Sequence, residues 1–178
     1  PADIVAGNEA MYLVSRYDQF DNLVTEGSQL VYLYTSSNGA NAEFREISGG
    51  TGVDSIDIED GLGTSSFYYY DEKAGDWTIT ASESTPMDVP DVDVTNGEDT
   101  LTVLSDAIHH FMLNDVDTVT AGSEALYAVS RLDQYDNLVT AGSQTVYLYS
   151  NSTGNNAEFR QNQGGAGVSL VTLAEGES

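Results

Sequence analysis

The sequence predicts an all-β protein of antiparallel β-sandwiches in tandem, the second of them incomplete. Three observations carry this expectation. No stretch keeps a helical hydrophobic period for 12 residues. The apolar residues fall instead into short β-branched and aromatic runs, separated by Gly, Asn and Asp clusters. The chain also repeats itself: shifted by 115 residues, Asp3 to Gly63 lies over Thr118 to Ser178 without a gap, with 34 of 61 positions identical. A self-similarity of that length has the size of one domain.

Taken in order, the strands follow from alternation. The run EAMYLVSRY (Glu9 to Tyr17) opens the period, and SQLVYLYTS (Ser28 to Ser36) follows it, with Tyr32 and Tyr34 on one face and Val31 and Leu33 on the other. NAEFREI (Asn41 to Ile47) and VDSIDI (Val53 to Ile58) are shorter. SSFYYYD (Ser65 to Asp71) turns Tyr68 and Tyr69 to opposite faces, and DWTITASE (Asp76 to Glu83) and DTLTVLSD (Asp99 to Asp106) close the period. Seven strands within about 100 residues imply a sandwich of immunoglobulin-like type. DAIHHFMLND (Asp106 to Asp115) reads as the first strand of the next sandwich. The expected domains are residues 1–107 and a partial copy over residues 108–178, joined stiffly and end to end because almost no linker separates them. The second copy stops where the counterpart of residue 64 would begin. Either the sequence is a piece of a tandem array, or the missing strands come from another chain. The start at Pro1 reads as a trimmed piece of something longer.

Composition narrows the role. With 40% hydrophobic residues and 11 tyrosines the chain packs a core. It has no cysteine, which removes disulfides, thiolate zinc sites and thiol nucleophiles. Its 29 acidic and 5 basic residues leave a formal net charge of −24, which repels nucleic acid and anionic membranes. Such a surface is better tolerated at high ionic strength, where the Debye length falls below about 8 Å. No apolar run approaches the roughly 18 residues of a membrane span.

Two phrases carry a family resemblance. DQFDNLVTEGSQLVYL (Asp18 to Leu33) and EDGLGTSSFYYYDEKAGDWTITAS (Glu59 to Ser82) occur in an order that resembles the bacterial immunoglobulin-like repeats of invasin and intimin surface proteins, with a filamin-like layout. The resemblance implies an extracellular stalk, adhesin or matrix component and no catalytic residue. The departures are Asp21 and Asp136, where those repeats usually carry Gly, and an acidic insertion from Glu83 to Asp99.

The candidate sites are acidic. Asp18, Asp21 and Asn22, repeated as Asp133, Asp136 and Asn137, are hard oxygen ligands in a turn and suit Ca²⁺, provided further ligands join them. Asp and Asn also cap turns through their own backbone, which explains the same residues without metal. In the insertion, Asp91 and Asp93 have the spacing that opens a calcium loop, with Asp99 beyond, although Gly97 falls one position late and the terminal Glu is missing. A solvated acidic loop is the alternative. Four of the five basic residues form the pairs Arg16 with Arg131 and Arg45 with Arg160, and each is expected to meet a carboxylate, Arg16 near Asp18. His109 and His110, adjacent in a strand, are expected to point apart and not to work as a pair. The tyrosine rows suit cross-strand packing, contact with neighbouring chains or stacking on host or matrix glycans. Asn151-Ser152-Thr153 is a glycosylation sequon outside the repeated pattern, its counterpart being Ser36.

The expected function is mechanical: a segment of an extracellular stalk or adhesin, whose partners are neighbouring repeats or identical chains. The rival is a self-assembling filament or surface-layer subunit completed by strand exchange. A glycan-binding module is the third expectation, and catalysis is not expected.

Overall fold

The computed structural model describes residues 1–87, 94–114 and 118–177. Among these there is no helix, and the chain divides into two compact units, Pro1–Asp106 and Ala107–Ser178.

Unit 1 contains β1 (Ile4–Val5), β2 (Glu9–Ser15), β3 (Gln29–Thr35), β4 (Glu43–Arg45), β5 (Gly52–Val53), β6 (Ser55–Ile58), β7 (Thr64–Tyr70), β8 (Gly75–Ser82) and β9 (Gly97–Leu104). They form two sheets, in the orders β1-β9-β8-β3-β6 and β2-β7-β4-β5. Alternation assigns the inner faces: Ala10 and Tyr12 of β2, Val31 and Leu33 of β3, Phe67 and Tyr69 of β7, and Leu101 and Val103 of β9 are all buried. Tyr12 stacks on Phe67 with centroids 5.2 Å apart, and Phe44 meets Phe67 edge-on at 5.8 Å. Such aromatic pairs contribute roughly 0.5–1.5 kcal/mol beyond the area they bury. A hydrogen bond of 2.9 Å between Thr35 Oγ1 and the Tyr69 hydroxyl crosses from one sheet to the other, and that hydroxyl also donates to the buried Asp71 at 2.7 Å.

One pairing departs from an antiparallel sandwich. β1 runs parallel to β9, with Ile4 opposite Val103 and Val5 opposite Leu104. Parallel neighbours need a long crossover, and here nearly the whole unit lies between them.

Unit 2 contains β10 (His110–Leu113), β11 (Val129–Leu132), β12 (Gln144–Tyr147), β13 (Phe159–Arg160), β14 (Gly167–Val168) and β15 (Leu170–Leu173). β12–β15 repeats the β3–β6 register, Gln144 with Leu173 standing for Gln29 with Ile58. β13–β14 likewise repeats β4–β5. Two stretches of strand in unit 1 do not recur in unit 2. Residues 124–128 and 148–150 are not extended ladders, although their counterparts 9–13 and 33–35 pair with β7 and β8. β10 pairs with β11 instead, antiparallel.

Candidate functional site: the repeated acidic corner

The corner between β2 and β3 is built around one carboxylate. Asp18 Oδ1 accepts the backbone N–H of Phe20 at 2.8 Å and of Asn22 at 2.9 Å, and the Asn22 amide donates to Oδ2 at 3.0 Å. These bonds, the Asn22 amide first, hold the Asp18 carboxyl below its ordinary pKa. Asp133 repeats the arrangement, accepting from Tyr135 at 2.8 Å, from Asn137 N at 2.9 Å and from the Asn137 amide at 2.9 Å. The copies differ in exposure: Asp18 and Asn22 are exposed, whereas Asp133 and Asn137 are buried.

Asp21 and Asp136 take the left-handed conformation, with φ of 63° and 64°. That explains Asp where the resembled repeats use Gly, since Asp is among the few residues that tolerate the region. Asp136 Oδ1 lies 3.1 Å from His110 Nε2. Among the described residues, no three His, Asp or Glu side chains converge as metal ligands would. Asp99 stands in the β8–β9 ladder opposite Ile79. Asp91 and Asp93 lie outside the described residues. Asn151 is exposed in the connection between β12 and β13.

The arginines at the corner correct an expectation. Among the described residues, Arg16 meets backbone carbonyls and no carboxylate: Nε donates to Val24 O at 2.9 Å, and the guanidinium reaches Gly27 O and Leu62 O. Arg131, 2% exposed, donates to the carbonyls of Thr140, Gly142, Ala174 and Glu177 at 2.8 to 3.1 Å. A planar fork of five donors suits chain ends that turn their carbonyls to one point. Charge counting could not reveal this, because it pairs opposite charges and ignores main-chain oxygens. The second arginine pair does meet carboxylates, Arg45 with Glu9 and Glu43 and Arg160 with Glu124 and Glu158. Burial works against the Glu9 charge, but hydrogen bonds from Ser48, Gly49 and Arg45 leave its pKa lowered.

The histidines are also corrected. His109 precedes β10 and does not share its pleat, so its ring meets that of His110, Nδ1 to Nδ1 at 3.3 Å. Face alternation fails for a residue outside the strand.

No protein-family model and no curated protein matches the chain. Among solved structures it is similar to domains 5-6 of the S-layer protein SbsC, at 14% identity and TM-score 0.38, over 99% of this chain and 80% of that one. It is also similar to domains 4-9 of surface layer protein SbsC, at 13% identity and TM-score 0.32, over 98% of this chain and 25% of that one. A likeness this loose fixes neither a shared topology nor a role.

Proposed function

We propose that the chain is a load-bearing structural segment of a cell-surface repeat protein, of the kind that builds stalks, filaments or surface layers from neighbouring repeats or identical chains. It performs no reaction of its own. The observation that carries this reading is the parallel pairing of β1 with β9, the terminal strands of unit 1. Tension entering at β1 and leaving at β9 pulls two parallel neighbours in opposite directions along their length. It therefore loads the bonds of that ladder together instead of opening them in turn. The repeated corner supports the same reading: both copies hold their strand ends by an arginine on backbone carbonyls. The acidic surface suits a salty exterior, and the resemblance to invasin- and intimin-type repeats points the same way.

Pulling the chain by its two ends tests the proposal. Unit 1, at 106 residues, is expected to open as one event releasing about 350 Å. Ala6 N donates to Leu104 O at 2.8 Å, and Ala6→Pro removes that donor. The variant is expected to open at lower force, whereas an unchanged force would count against a load-bearing role.

A further inference from the structure

Two histidines of unit 2 meet nitrogen to nitrogen, and β11 is what holds them there. His110 pairs with Leu132 in the β10–β11 ladder, and the backbone N–H of His109 donates to Leu132 O at 2.8 Å. Both residues are thereby tied to one point of the neighbouring strand, beside the corner that begins at Asp133. The rings do not stack. Their planes cross at 85° with centroids 5.5 Å apart, so the close approach is made by the two Nδ1 atoms alone, at 3.3 Å.

Asp136 decides which nitrogen of His110 is free to bind. Its Oδ1 lies 3.1 Å from Nε2 and accepts the proton that Nε2 carries, which leaves the lone pair of that ring at Nδ1. The carboxylate comes from the exposed part of the corner, where Asp136 takes φ of 64°.

The separation of 3.3 Å has a meaning beyond a hydrogen bond. Two nitrogens held about 2.0–2.1 Å from one ion at the tetrahedral angle stand roughly 3.3–3.4 Å apart, whereas adjacent positions on an octahedral or square-planar ion stand roughly 2.8–3.0 Å apart. In the free chain His109 Nδ1–H donates to His110 Nδ1. A tetrahedral ion can replace that proton at the same spacing, with a small turn of the exposed His109 ring and its proton moved to Nε2. The carboxylate behind His110 is the second element of such a site. Metal-bound imidazoles commonly donate their other N–H to a carboxylate, which orients the ring and makes it a better donor. A formal charge of −24 also concentrates dications at the surface.

We propose that His109 and His110 chelate one tetrahedral divalent ion of the zinc class through their Nδ1 atoms, with Asp136 orienting His110 from behind. Water completes the coordination shell, since among the described residues no group of three His, Asp or Glu converges on one ion. Imidazole nitrogen selects this class over Ca²⁺ and Mg²⁺, which take oxygen. The site lies wholly within unit 2 and is independent of the mechanical reading.

The test titrates Zn²⁺ into the full 178-residue chain by calorimetry at neutral pH, in excess Ca²⁺ to fill sites made of oxygen alone. One ion per chain should bind. His109→Ala, at an exposed position where truncation should leave the melting temperature unmoved, should weaken binding at least tenfold, and His110→Ala likewise. Asp136→Asn should weaken it roughly tenfold. Proton–nitrogen spectra of the imidazoles should show both Nδ1 signals responding while His110 Nε2 keeps its proton. The proposal is overturned if Zn²⁺ binds only when Ca²⁺ is left out, if His109→Ala or Asp136→Asn binds as tightly as the wild type, or if the responding nitrogens are Nε2.

Discussion

At the scale of single residues, the corner depends on two groups that solve different problems. Asp18 supplies an acceptor for N–H groups that a turn leaves unpaired, and Arg16 supplies donors for carbonyls that strand ends leave unpaired. Because the folded chain depresses the Asp18 pKa, the stability it contributes is complete above the unfolded carboxylate value near 3.9. That contribution fades as the pH falls through the lower folded value. Thermal melts of the wild type and Asp18→Asn between pH 7 and 2 should show the wild-type advantage shrinking at the acid end. An advantage that does not depend on pH would show that the charge is irrelevant. Arg16→Ala should cost about 1.5–3 kcal/mol, because it strands carbonyls that a charged donor had satisfied. Lys73→Ala should stay within about 0.5 kcal/mol. Equal melting shifts for the two would refute the carbonyl anchor.

At the scale of elements, the long alternating strands were legible in the sequence. EAMYLVSRY gave β2 and SQLVYLYTS gave β3, each within two residues at either end, because alternation over seven positions leaves one buried face. β1 was not legible. Two apolar residues carry no period, and Ile4–Val5 is a strand only because β9 lies beside it. The acidic corner was legible as a turn from Asp18, Asp21 and Asn22, whereas the partners of Arg16 and of His109 depend on tertiary placement. Identical residues also gave different structure: Glu9 and Ala10 are strand, and Glu124 and Ala125 are not. Strand formation belongs to the pair of segments and not to either sequence alone. Gly39→Ala and Gly154→Ala separate the two contexts. The first should destabilise unit 1 by about 1–3 kcal/mol through overlap with Asp71, and the second should be near neutral. Similar losses at both sites, read by denaturant midpoints, would show that the glycines serve backbone conformation instead.

At the scale of the whole molecule, a 115-residue period, a formal charge of −24 and the parallel pairing of the first and last strands of unit 1 support the proposed mechanical role. The charge should make stability rise with ionic strength, since self-repulsion weakens as the Debye length shortens. Under the proposed role, tension passes through the β1–β9 ladder. The absence of cysteine lets attachment points be chosen freely. One variant carries Pro1→Cys with Ser105→Cys, and the other Asn8→Cys with Ser105→Cys, so the second leaves β1 outside the load path. Single-molecule pulling should find a clearly higher opening force for the first pair, while equal forces would contradict the load-bearing account.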